Sequence, residues 1–79
     1  MNYFKVKRVY PDGTSEFEDD IFTSSQDAEW HAQVGMEGLA EGEEILKLRG
    51  ENYVEAHKTK VYIYEYDENN HCVDHYRYY

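Results

Sequence analysis

The segment Lys60-Val61-Tyr62-Ile63-Tyr64-Glu65-Tyr66-Asp67 restricts the fold more than any other part of the chain. Tyrosine alternates there with valine and isoleucine, a period of two that belongs to a strand with two unlike faces. β-Branched and aromatic side chains also fit a pleated surface better than a helix. Asp67-Glu68-Asn69-Asn70 follows as a turn, with Asn70 suited to the left-handed region, and Cys72 to Tyr79 returns as a second strand. A three-residue loop at 68–70 sets Asp67 opposite His71. Tyr62 then faces Tyr76, Tyr64 faces Asp74 and Tyr66 faces Cys72, while Ile63 meets His75 and Glu65 meets Val73. This register collects Tyr62, Tyr64, Tyr66, Tyr76 and Tyr78 on one side and Val61, Ile63 and Val73 on the other. A slip of one residue would exchange the sides.

The N-terminal segment alternates as well. Phe4, Val6 and Tyr10 share one side of a strand over Tyr3 to Tyr10, and Lys5 and Lys7 the other. Pro11-Asp12-Gly13-Thr14 supplies a hairpin turn, with proline presetting φ and Gly13 taking the left-handed position. Ser15 to Asp19 returns as a short strand. Phe17 is expected inward, with Glu16 and Glu18 outward against Lys5 and Lys7.

Ser24 followed by Asp27 resembles a capping box, with Thr23 and Gln26 the alternative, and Asp27 and Glu29 suit the positive end of a helix dipole. Ala28, Ala32, Met36 and Leu39 share one helical face, with Gly35 beside them, and Trp30 and Val34 lie elsewhere. The helix is expected over Ser25 to about Gly35. Beyond it, Gly38 and Gly42 each lower helix propensity by about 1 kcal/mol relative to alanine. Glu44 to Arg49 reads as a strand, Gly50-Glu51-Asn52 as a turn, and Tyr53 to His57 as a short strand or an irregular connection. The expected fold is α+β: a single antiparallel sheet of four to five strands with one helix packed on one face. Along the chain the order is strand, strand, helix, strand, an optional strand, strand, strand. Residues 1–79 form one domain, since so short a chain has no room for two cores. Trp30 is expected to be covered by the loop around Ile21 and Phe22 or by a sheet end, with an exposed interface anchor as the alternative.

Charge is unevenly placed. Between Arg8 and Lys47 the chain holds eleven acids (Asp12, Glu16, Glu18, Asp19, Asp20, Asp27, Glu29, Glu37, Glu41, Glu43, Glu44) and no lysine or arginine. The other segments carry eight bases and six acids, so −11 and +2 account for the net charge of −9. Such a field repels nucleic-acid backbones and attracts basic proteins, so no direct nucleic-acid partner is expected. No apolar run spans a bilayer and the N-terminus lacks a signal peptide's pattern, so no membrane partner is expected. The lone Cys72 allows no internal disulfide and fits a reducing, cytoplasmic setting.

His71, Cys72 and His75 have ligand chemistry, yet on a regular strand Cys72 points away from both histidines and no second motif completes a site. No metal and no cofactor are expected. Neighbouring His71 and Cys72 cannot act as base and nucleophile on each other. The glycines at 35, 38 and 42 follow a helix instead of opening one, unlike a phosphate loop. The chain is therefore read as a non-enzyme: an acidic protein-binding domain whose patch is Glu16, Glu18, Asp19, Asp20, Asp27 and Glu29 and whose partner is a basic protein. In a sharper form it is an inhibitor that mimics nucleic-acid charge and blocks a DNA- or RNA-binding enzyme, by analogy with anti-restriction and anti-CRISPR proteins. The alternative is a small homodimeric assembly protein joined through the face of Tyr62, Tyr64, Tyr66, Tyr76 and Tyr78.

Overall fold

Ser24 closes the start of the only long helix. In a computed structural model that describes Met1–Tyr79, its Oγ accepts a hydrogen bond from the Asp27 N–H at 3.1 Å. Two strands precede this helix, β1 (Tyr3–Val9) and β2 (Ser15–Phe17). The helix, α1, spans Ser25–Arg49, and β3 (Lys60–Tyr66) and β4 (Cys72–Arg77) come after it. The strands form one antiparallel sheet in the order β2-β1-β3-β4. The fold is α+β with a single sheet, as the sequence indicates, and α1 packs against β1 and β3. Val6, Val61 and Ile63 from the sheet meet Ala28, Ala32 and Met36 from the helix, with Ala56 at the side. The alanines let the helix lie close. Phe4, Phe22, Leu39, Tyr76 and Tyr78 flank this thin core.

The helix is more than twice as long as expected, and the strand read over Glu44 to Arg49 is its last part. Met36 to Arg49 is otherwise built of glutamate, leucine, alanine, lysine and isoleucine, mostly strong helix formers that offset Gly38 and Gly42. Lys47 and Glu43 pair one turn apart at 3.6 Å. Gly50, at φ 69°, ends the helix. Its N–H donates to Lys47 O, and the Glu51 N–H to Leu46 O, the paired bonds that satisfy a helix C-terminus. Tyr53 to His57 is not a strand either: it leads irregularly into one 3-10 turn, Ala56–Lys58, which places the buried Thr59.

Two strand registers also differ from expectation. In β2, Phe17 lies opposite Lys7 and Glu16 opposite Arg8. Phe17 therefore shares the side of Lys5 and Lys7, and the glutamates share the side of the helix. The cause is Arg8, which lies beneath the helix and is held by Glu18, Nη2 to Oε1 2.7 Å, with His31 Nε2 3.7 Å from the same carboxylate. In the last hairpin Tyr66 does face Cys72, but Glu65 faces Asp74, so Val73 is an extra, bulged residue. Beyond it the register is shifted: Tyr64 faces His75, Ile63 faces Tyr76 and Tyr62 faces Arg77. Val73 is exposed instead of lying under the helix. The shift carries the Tyr76 and Tyr78 rings to the edge of the core, where their hydroxyls donate to Glu29 (2.7 Å) and Gln33 (3.2 Å). An unbulged β4 would send His75 and Arg77 there. The turn itself follows expectation, with Asn70 at φ 64° and the Asp67 Oδ1 accepting from the Asn69 and His71 N–H groups.

Trp30 is 67% exposed and is not covered by Ile21, itself exposed. Phe22 instead pairs with Phe4 through the backbone and sets its ring 5.0 Å from His31.

Candidate aromatic and basic sheet face

Because α1 covers one side of the sheet, the other side stays open. The register assigns Tyr3, Lys5 and Lys7 of β1, Phe17 of β2, Tyr62, Tyr64 and Tyr66 of β3, and His75 and Arg77 of β4 to that side. Every carboxylate within the strands (Glu16, Glu65 and Asp74) falls at the opposite parity. The rings form a continuous sequence. Tyr3 stacks on Tyr66 with centroids 5.2 Å apart, Tyr66 lies 6.4 Å from Tyr64, and Tyr64 stacks on His75 at 5.0 Å. Phe17 meets Tyr64 edge-on at 5.3 Å. Lys5 and Lys7 each place Nζ 5.4 Å from the Phe17 centroid, and Lys7 Nζ is 5.5 Å from that of Tyr64. These cation–π contacts hold ammonium groups and rings on one surface. Burial, and then the neighbouring Cys72, Tyr3 and Tyr64, push the Tyr66 hydroxyl up, so it stays a neutral donor.

The five tyrosines expected on one face are thus divided. Tyr62, Tyr64 and Tyr66 stay on the open side, and Tyr76 and Tyr78 lie on the helix side. Lys5, Lys7, Phe17, His75 and Arg77 were not recognised from the sequence as part of this surface. The alternation of Lys5 and Lys7 with Phe4 and Val6 in β1, and of His75 and Arg77 with Tyr76 in β4, is the signal the sequence offers.

The six acidic residues do not form one free cluster. Glu16 accepts from the Tyr10 hydroxyl, Glu18 is committed to Arg8, and Glu29 accepts from Tyr76. Asp19, Asp20 and Asp27 remain exposed around the β2 exit and the helix start. Tyr76 is pushed up by burial and by its bond to the Glu29 carboxylate.

At the histidines, His71 Nδ1 lies 3.9 Å from Asp67 Oδ2, and no group of three or more metal-ligating side chains converges. The bulge also places Cys72 and His75 at positions facing Tyr66 and Tyr64, so Cys72 does not oppose His75 as a regular strand would require. An open groove of about 670 Å³ lies between the Tyr10–Thr14 turn and Tyr53–Lys58. Its two carboxylates are held below their ordinary range, Asp12 by the Thr14 hydroxyl and N–H, and Glu55 by Lys58. Neither is poised to donate a proton near neutral pH.

The fold and this surface define a two-layer α+β domain with an acidic helix side and an aromatic, basic sheet side. No protein-family model, curated protein or solved structure matches the chain. No helix is long and apolar enough to cross a membrane.

Proposed function

We propose that the chain is a non-catalytic binding domain whose open sheet face takes single-stranded nucleic acid. The observation that carries this reading is the segregation of charge: Lys5, Lys7, His75 and Arg77 interleave with Tyr3, Phe17, Tyr62, Tyr64 and Tyr66 on strands that aim no carboxylate to that side. Unstacked bases find π-faces there, and phosphates find ammonium and guanidinium groups beside them. The expectation against a nucleic-acid partner rested on net charge. Charges are screened over about 8 Å at physiological salt, so the sign of the contacting face matters more than the sum of −9. The acidic helix side then orients the strand by repelling it from the wrong surface.

The test is anisotropy of a labelled oligonucleotide of about eight nucleotides, DNA and RNA, titrated with protein at low salt. Binding in the micromolar range is expected, lost on Tyr64→Ala with Lys7→Glu, and stronger for single strands than for duplex. No binding by the native chain, with its fold intact, rejects the reading.

The exposed Asp19, Asp20 and Asp27 favour a second reading: a protein-binding domain that docks a basic partner, including the inhibitor that mimics nucleic-acid charge. Reversing Asp19 and Asp20 to lysine abolishes capture of such a partner and leaves oligonucleotide binding intact or stronger.

A further inference from the structure

The bases of the open face are the ones without partners, and they are unevenly spread. Seventeen carboxylates outnumber eight lysines and arginines in the chain, yet only Arg8, Lys47 and Lys58 pair with one. Arg49 stands in the last turn of α1, where it answers the helix dipole. The other four, Lys5, Lys7, Lys60 and Arg77, all belong to the open face, and none forms an ion pair with a carboxylate side chain.

Three of these four surround one ring. Tyr62 lies directly opposite Lys7 on β1 and Arg77 on β4, and Lys60 precedes it by two residues on the same side of β3. Side chains directly opposite stand about 5 Å apart at Cβ, and those two residues apart along a strand about 7 Å. Tyr62 is also the open-face ring that stacks on no other, whereas Tyr3, Phe17, Tyr64, Tyr66 and His75 are joined in ring–ring contacts. Arg77 is held by its own strand end: Nε donates to Tyr79 O at 3.0 Å, which leaves the Nη hydrogens for a ligand. A flexible stem lets the Lys7 ammonium, which rests on the Phe17 and Tyr64 rings, reach the same point.

The opposite end of the face differs. Tyr3, Tyr66 and Cys72 form a row with no base, and the turn beyond it carries Asp67 and Glu68. Lys5, with Tyr64 and His75, occupies the row between.

We propose that the Tyr62 end of the sheet takes the phosphorylated end of a single strand, with the terminal base on Tyr62 and the terminal phosphate among Lys7, Lys60 and Arg77. The proposal deepens the single-strand reading of this face and rests on it. The interior of a strand carries one charge per nucleotide and is served by bases spaced along its path. A terminal phosphomonoester concentrates about two charges and three acceptor oxygens at one point near neutral pH. Three clustered cations, one of them an oriented guanidinium fork, match that point charge. The strand then runs from Tyr62 toward Tyr64 and Tyr66, where rings outnumber bases, and the carboxylates of the turn repel phosphates beyond.

The test uses internally labelled oligonucleotides of one sequence and about eight nucleotides, ending in hydroxyls, in a 5′ phosphate or in a 3′ phosphate, titrated by anisotropy. One phosphorylated form is expected to bind about tenfold more tightly than the hydroxyl form. It should also exceed a hydroxyl-ended strand two nucleotides longer, whose total charge is about the same. Arg77→Gln and Lys60→Gln should each remove most of that preference with circular dichroism unchanged, while Lys5→Gln weakens both forms alike. Equal binding of hydroxyl and phosphorylated ends overturns the end-phosphate assignment and leaves the single-strand reading standing. So does a preference that the longer strand matches, or one that survives in both variants. Failure of every oligonucleotide to bind rejects the two together.

Discussion

His75 stands directly across from Tyr64, and the two rings stack with centroids 5.0 Å apart and planes 14° from parallel. The contact exists only because Val73 is bulged. It moves His75 and Arg77 to the open face and moves Tyr76 and Tyr78 to the helix. One extra residue thus decides both the charge of one side of the sheet and how the core is closed on the other.

The divided tyrosines are expected to differ in solution. Burial first, and then the bond to Glu29, raise the Tyr76 pKa well above the ordinary tyrosine value of 10.0. A phenol whose pKa is raised by folding contributes stability that is complete below the unfolded value and is lost as pH rises past it. An absorbance titration of the nine tyrosines should show a late fraction that Tyr76→Phe reduces. Tyr76→Phe should cost about 1 kcal/mol through the lost hydrogen bond, and Tyr62→Phe close to nothing. A late fraction unchanged in Tyr76→Phe counts against the bulged register.

Gly35 and Gly42 are chemically the same but should respond oppositely to alanine. Space is open at Gly42, so Gly42→Ala is expected to gain up to about 1 kcal/mol in helix propensity. At Gly35 the added methyl displaces the Arg8 guanidinium and breaks its half-buried pair with Glu18. Gly35→Ala should fall short of Gly42→Ala by about 1.5–3 kcal/mol, the range for hydrogen bonds to charged groups. Urea denaturation of the two variants measures the difference directly. Equal gains would mean that Arg8 is free to leave.

Asp67 organises the turn before the bulge. Its carboxylate accepts from the His71 and Asn69 N–H groups, and these bonds hold it below its ordinary value. A pKa lowered by folding contributes stability above the unfolded value, and that contribution disappears as pH falls below it. Melting temperature should therefore fall on acidification from about pH 5 toward pH 3, and less steeply in Asp67→Asn than in the native chain. Equal slopes would show that the turn does not depend on this charge.

If the open face binds single strands through Lys5, Lys7, Arg77 and Lys60, which lies opposite Val9 on the same side of the sheet, the salt dependence has a definite size. Releasing a counterion at each of three or four phosphates gives a slope of log K against log salt of about −2 to −3. Lys7→Gln should make the slope shallower by about 0.7. Tyr64→Ala should weaken binding by about 1–3 kcal/mol with the slope unchanged, because stacking releases no counterion. A slope near zero would remove the phosphate contacts from the reading.

Much of the local structure was legible in the chain. Ser24 as the helix cap, Gly13 and Asn70 in the left-handed region, and the buried face of Ala28, Ala32 and Met36 all follow from contacts within a few residues. The end of the helix is not legible from Gly35, Gly38 and Gly42, because the helix-forming residues between and after them outweigh their propensity cost. Gly50 is the stop of α1 and not part of the turn between strands that the sequence suggests. For the site, the tyrosines of β3 were found because they alternate in one strand. Phe17, His75 and Arg77 were missed because their side depends on the neighbouring strand.

Period-two patterning, capping and turn chemistry act over a few bonds, so the sequence by itself determined where strands and helix begin and that one sheet would pack on one helix. Register acts across the sheet. A strand shows one set of side chains or the other according to a single residue's offset, and that offset is chosen by which groups can be buried. Arg8 finds its carboxylate under the helix and Tyr76 finds Glu29. Those two long-range contacts, 10 and 47 residues apart in the chain, turned the glutamates of β2 inward and the bases of β4 outward. Composition records an acidic protein, and only the tertiary structure made one of its faces basic.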